Sequence, residues 1–236
     1  YFIECVRMFR DKIDDPELQK RVADFIKQEA QHGIAHDKMN QLMKEQGMPV
    51  DEFTSTLKRI FRFELTKRSP QYNIAMTAAA EHLTALMAET FYSNKKTLEN
   101  AHPYVRALFA WHAIEEIEHR SVAFDVYQHV YGDDRIRRLL MRSVTTGFAS
   151  LAFYGTTRLF WQDKWKSLPK IGGNIFGVYL LVKMLIQLTP EYFAYYKKDF
   201  HPSQTDYGHM VDYWKTYLAG EYQMTSFQEE TKLRPS

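Results

Sequence analysis

The chain has 236 residues, 45% of them apolar and 15% aromatic, which is enough to bury a sizeable core, so disorder is not the default reading. Lys plus Arg number 31 against 29 Asp plus Glu, a formal charge of +2, so the composition gives no electrostatic case for nucleic acid as a partner. A single cysteine, Cys5, excludes an internal disulfide framework and suits a reducing, cytoplasmic setting, and nothing resembles a signal peptide.

With only 10 Gly and 8 Pro, and little strand-like alternation, the segments read as helices throughout. The chain opens on Tyr1 inside a helical pattern, "YFIECVRMFRDKI", so the true N-terminus is expected upstream. "DDPE" is a helix start, with Asp15 as N-cap and Pro16 at the first helical position. The helix it opens is expected to run to about Gly47. A shorter helix is predicted over 51–67, and Ser69-Pro70 opens a long one through about Asn94. His102-Pro103 opens another, ending at Tyr131-Gly132, and two apolar helices follow over about 135–163 and 173–197. The tail has a weakly helical middle and a polar end. The expected organisation is a helical bundle over 1–134, two apolar helices packed on it over 135–200 and an extension over 201–236.

The second helix contains "QEAQHGIAH", in which Glu29 and His32 are three apart and project from one face. "WHAIEEIEHRSVAFD" repeats that spacing with Glu116 and His119, and "TAAAEHLTALMAE" sets Glu81 on a helix between them, in an Ala-rich stretch where backbones can approach closely. Glu-x-x-His from each of two helices plus Glu from each of two others is the two-metal carboxylate arrangement of ferritin-like bundles. The chemistry needs those residue types. Carboxylates bridge two cations and neutralise them, and one neutral imidazole per metal leaves positions open. A solvated face paired with Lys and Arg is the bland alternative. Against it stand the apolar neighbours Ala78, Ala79, Ala80, Leu83 and Leu86 around Glu81, and Ile114, Ile117 and Val122 around Glu116 and His119. The expected fold class is therefore all-α, a ferritin-like four-helix bundle with additional C-terminal apolar helices.

Glu81 precedes Glu116 by 35 residues, one helix and a turn. The same count backward from Glu29 puts a fourth carboxylate just before Tyr1, with Glu4 as fallback. His112, four residues before Glu116, is counted with the metal ligands as a third imidazole, its alternative being a core histidine. Glu115 and His36 are the candidates for catalytic roles: Glu115 to take the free N–H of His32 on the facing helix, and His36 to line the cavity on the Glu29 face. By the same logic Gln28 would serve His119. Glu118 reads as a surface charge and His82 as a packing residue. Glu89 reads as a salt-bridging or wall residue, and Asp125 is open between bonding near the site and no role. Gly33, in mid-helix, is expected to admit a close approach beside His32.

At these residues the sequence resembles a bacterial family labelled "predicted metal-dependent hydrolase", which has a ferritin-like core. The resemblance is carried by "VRMFRDKIDDPEL", "FIKQEAQHGIAHDKMN", "TAAAEHLTALMAE", "WHAIEEIEHRSVAFDVY" and "DFHPSQ", from residue 6 to about 204. The family pattern has a Gly-Glu a little upstream, which would fall before Tyr1 and supply the fourth carboxylate. The spacing with His112 is also similar to that of di-iron arylamine N-oxygenases, a likeness limited to the site.

Two irons (or manganese, or a mixed pair) are the expected cofactor, with zinc if the reaction is hydrolytic. The reading favoured by the ligand types is an O2-activating oxygenase or oxidase acting on a small apolar or aromatic molecule. A metal-dependent hydrolase using activated water is the alternative, and a non-catalytic metal-binding bundle the second alternative. No reductase or flavin motif is present, so the oxygenase reading implies a separate electron-donor protein. The two apolar helices carry Arg142, Arg158 and Lys183, which argues against spanning a bilayer and for buried or interfacial helices with peripheral membrane contact. A homodimer is also compatible with the sequence.

Overall fold

The structure, a computed structural model, describes residues 1–162 and 171–221. The chain is all-α, with no strand among those residues. In chain order the helices are α1 (Phe2–Arg7), α2 (Pro16–Glu45), α3 (Val50–Lys67), α4 (Pro70–Tyr92), α5 (Pro103–His119), α6 (Val122–Val130), α7 (Asp134–Gln162), α8 (Ile171–Ala194) and α9 (Gly208–Glu221). The expected helix end at 163 and the polar tail beyond 221 lie outside the described residues.

Local chemistry starts the three helices that matter most. Asp15 accepts from the Glu17 N–H at 2.9 Å, Ser69 from Tyr72 at 3.2 Å and His102 Nδ1 from Tyr104 at 3.2 Å. Each cap is followed by a proline at the first helical position, where its missing N–H costs nothing. At the far end of α2, Gly47 takes a φ of +83°, and the Met48 and Gly47 N–H groups return to the Met43 and Lys44 carbonyls. This is the left-handed glycine stop that the sequence signalled.

Two expected helices are interrupted. The first ends at Arg7 and gives way to a short 3-10 helix, Arg10–Lys12, which leaves Phe9 and Ile13 buried. The helix expected from Pro103 to Tyr131 is divided at Arg120–Ser121, where the backbone stays in the right-handed region but the ladder breaks. Long-range bonds hold that break. Arg120 donates to the Pro202 and Thr205 carbonyls at 2.9 and 2.7 Å, and Arg21 on α2 donates to Ser121 Oγ at 2.6 Å.

Helix α4 is the hub, packing against α1, α3, α5, α6, α7 and α8. Ala75, Ala78, Ala79 and Ala85 are all essentially inaccessible, so small side chains let the neighbouring backbones come close. One core cluster joins Val22 and Phe25 of α2 to Ile74 of α4 and Phe124 of α6, and takes in Leu140, Met141, Tyr195 and Phe200. A second joins α5 to Val211, Trp214 and Leu218 of α9. The metal-type residues lie on α2, α4 and α5, the helices that these cores hold together.

Gly33 does not serve a close approach. A Cβ built there meets nothing within 4 Å, because the residue faces open space on the outer side of α2. Gly33→Ala is therefore expected to stabilise the fold by about 0.5–1 kcal/mol through backbone entropy, measured by denaturant unfolding. A destabilised variant would restore the idea that something packs there.

Candidate metal centre

Glu29 and His32 leave α2 one turn apart, Glu116 and His119 leave α5 one turn apart, and the two turns face each other. One ligand atom from each of the four residues lies within 4.8 Å of the other three. His32, Glu116 and His119 are buried and Glu29 is partly so. His32 Nδ1 is 3.1 Å from Glu29 Oε1 and 3.6 Å from Glu116 Oε1, while His119 Nε2 is 3.5 Å from Glu29 Oε1. Glu81, 3% exposed on α4, reaches within 3.0 Å of His119 Nδ1.

The outer contacts hold the imidazoles in place. Glu115 Oε2 lies 2.7 Å from His32 Nε2, on the side away from the cluster, within ion-pair distance but without an aligned hydrogen bond. Trp111 packs edge-on against His32 at 5.2 Å and Phe25 edge-on against His119 at 5.1 Å. The sequence reading assigned neither aromatic a place at the site. Phe25, one turn before Glu29 on the same stripe, carried the only local signal of that placement. Gln28 does not serve His119; Glu81 and Glu29 flank that ring instead. Glu4 is exposed on α1, away from the group.

His112 stands beside the four-donor group and not within it. Its Nε2 is 3.4 Å from Glu116 Oε1, and its ring lies 4.5 Å from His32 and 4.9 Å from His36. His36 is exposed and, with His112, lines a small pocket open to solvent. Ala35, Met39, Leu108, Phe109 and Trp111 complete its wall, so the pocket is built by α2 and α5 without a residue of α7 or α8.

The other candidates resolve into structural roles. Glu118 pairs with Lys215 at 2.6 Å on the surface. His82 is buried and stacks on Tyr195 at 5.0 Å. Glu89 accepts from the Thr90 and Ser93 hydroxyls, and forms no salt bridge among the described residues. Asp125 bridges Arg21 at 2.8 Å and His201 at 2.7 Å, tying the stretch after α8 to α2.

Every ion pair of Glu29, Glu81, Glu115 and Glu116 is made with a histidine. Among the described residues no Lys or Arg pairs with them, and the protonation balance shows the strain. Burial, with Glu29 nearby, pushes the Glu81 carboxyl well above its usual range, and burial with Glu81 beside it pushes Glu116 up to about 7. Burial alone would pull His32 down, but Glu115, Glu29 and Glu116 outweigh it and carry it up to about 10. Glu81 Oε2, both nitrogens of His119, His32 Nε2 and Glu115 Oε2 are buried without an aligned hydrogen bond, despite their proximity. Buried lone pairs without donors are costly, and divalent metal here would offset the repulsion between the carboxylates and take one nitrogen of each imidazole. Donors about 2.1 Å from one ion lie roughly 3–4 Å apart, close to the separations present here. The residues fit a divalent metal.

A helical protein with convergent Glu-x-x-His turns on facing helices belongs to the carboxylate–histidine class of metal sites. The chain is a member of the family described as predicted metal-dependent hydrolase, which matches residues 1–206 and so takes in every residue of the centre. No curated protein and no solved structure matches it.

The outer contact gives a testable consequence. Glu115→Gln keeps the shape and removes the charge facing His32, so metal affinity should fall about 10–100-fold while the fold persists. Competition titration with a chromophoric chelator measures it, and an unchanged affinity would remove Glu115 from the centre.

Proposed function

We propose that this chain is a metal-dependent hydrolase acting on a small substrate with an apolar or aromatic part. The observation that carries the reading is the convergence of Glu29, His32, Glu116 and His119, with no Lys or Arg partner among the described residues, in a chain of that family. Those four residues, with Glu81, would hold divalent metal. A cation there supplies Lewis acidity and lowers the pKa of water toward neutrality. The chain's own residues do the rest. Glu115 places its charge beside the far nitrogen of His32, and Trp111 and Phe25 brace the two imidazoles edge-on. Leu108, Phe109, Trp111 and Met39 offer an apolar wall to the substrate. His112 and His36 put imidazole nitrogens at the entrance, where they can hydrogen-bond a polar group next to the scissile bond.

A second reading has its own observation. Two Glu-x-x-His turns and the buried Glu81 make a carboxylate-rich donor set with one imidazole per metal, which suits two irons or manganese and O2 chemistry better than a three-ligand zinc hydrolase. This reading needs an external electron donor. One experiment separates the two. Protein purified without chelator is analysed for metal, then assayed with aryl esters and phosphoesters and, in the ferrous form, for oxygen uptake. Metal-dependent hydrolysis abolished by Glu116→Gln supports the first reading. About two irons per chain with oxygen consumption and no hydrolysis supports the second. A protein that binds no metal overturns both.

A further inference from the structure

Helices α7 and α8 carry apolar side chains that the fold does not bury. After Met141, which is inaccessible, nearly every described residue of α7 is exposed or half-exposed, and Phe148 and Phe153 are 43% and 75% exposed. On α8, Val182, Leu185, Ile186 and Phe193 are 48, 55, 66 and 61% exposed. On α8, Val182, Ile186, Thr189 and Phe193 recur at steps of four, three and four, so they form one stripe along the helix. On α7, Leu139, Arg142, Thr146, Ala149 and Phe153 form another, all exposed. The metal centre uses none of them.

The exposed charge on these helices is positive. Their described acids, Asp134 and Glu191, are part-buried and engaged, Asp134 with Arg137 and Arg138 and Glu191 with the Thr205 hydroxyl, while Arg135, Arg142 and Lys183 are exposed cations. A second copy meeting either stripe would bring like charges together. An acidic, apolar-tolerant surface would not. No described helix is long and apolar enough to cross a membrane, which leaves contact in the plane of the interface.

We propose that α7 and α8 dock the protein on an anionic lipid surface. Phe153, Ile186 and Phe193 enter the boundary between headgroups and acyl chains, and Arg142 and Lys183 meet the lipid phosphates. This docking is independent of the reaction at the metal centre.

The test is co-sedimentation of the full chain with phosphatidylcholine vesicles, and with vesicles holding roughly 30% phosphatidylglycerol. The chain should sediment with the anionic vesicles and hardly at all with the neutral ones. Phe153→Ser with Ile186→Ser, and separately Arg142→Glu with Lys183→Glu, should each weaken binding about tenfold or more. Both pairs are exposed and distant in sequence from the metal-type residues, so unfolding temperature and metal content should match the parent. Equal sedimentation with both vesicle types, or none, overturns the proposal. So does a parent chain that is dimeric by light scattering and becomes monomeric in the Phe153→Ser, Ile186→Ser variant, since the stripes would then join two copies.

Discussion

Glu116→Gln should lose its metal and, stripped of metal, unfold at a higher temperature than the stripped parent at pH 8. The first half follows from geometry: Glu116 is one of four converging donors, and an amide replaces neither its charge nor its bridging capacity. Affinity should fall by more than about 100-fold, beyond the range seen for outer-contact changes. The second half follows from the sign of the carboxyl shift. Burial, and Glu81 beside it, raise Glu116 from 4.5 to about 7 in the folded chain without metal. A raised carboxyl costs nothing below its unfolded value, where it is neutral in both states. The penalty grows as pH rises from 4.5 to 7 and is complete above it, on the order of 3 kcal/mol. Glutamine carries no such penalty. The difference between stripped variant and stripped parent should therefore vanish below about pH 4.5, with unfolding followed by circular dichroism. A variant that keeps full metal stoichiometry would remove Glu116 from the ligand set. A variant less stable than the stripped parent at pH 8 would mean that the charged His32 imidazole beside Glu116 outweighs the burial of its carboxylate.

Arg137→Met should destabilise the fold by about 3–5 kcal/mol, the range for breaking a buried charged network by removing one partner. Arg137 is fully buried, yet it sits at the start of α7 and donates to two carbonyls just beyond the end of α8, those of Tyr195 and Lys197. It also donates to Asp134 at 2.9 Å and lies over the Phe124, Tyr195 and Phe200 rings. The planar fork satisfies helix-end carbonyls from one direction and a carboxylate from another, which an ammonium cannot do. Arg137→Lys should therefore recover less than half of the loss. For a chain of this size the Met variant should melt roughly 10 °C lower. A drop of under about 1 kcal/mol by denaturant titration would show that water reaches those carbonyls freely.

Much of the centre was readable in sequence because its grammar is local. A three-residue step puts Glu and His on one helix face wherever that helix goes, so Glu29 with His32 and Glu116 with His119 needed no tertiary knowledge. The caps Asp15, Ser69 and His102 were equally local, each a side chain serving an N–H two or three residues on. Even the reach of Glu115 to His32 followed from a hundred-degree offset on a facing helix. What the sequence determined was which face each group occupies. What only the tertiary structure decided was which face meets which. Gln28 and Glu115 hold equivalent positions beside their ligand carboxylates, but α4 brings Glu81 to His119 and leaves Gln28 without that role. The helix through Arg120 broke because carbonyls more than 80 residues away claim its guanidinium. Gly33 faces open space, and the apolar stripes of α7 and α8 stay exposed, because hydrophobicity states a preference for burial and cannot say whether a neighbour is there to provide it.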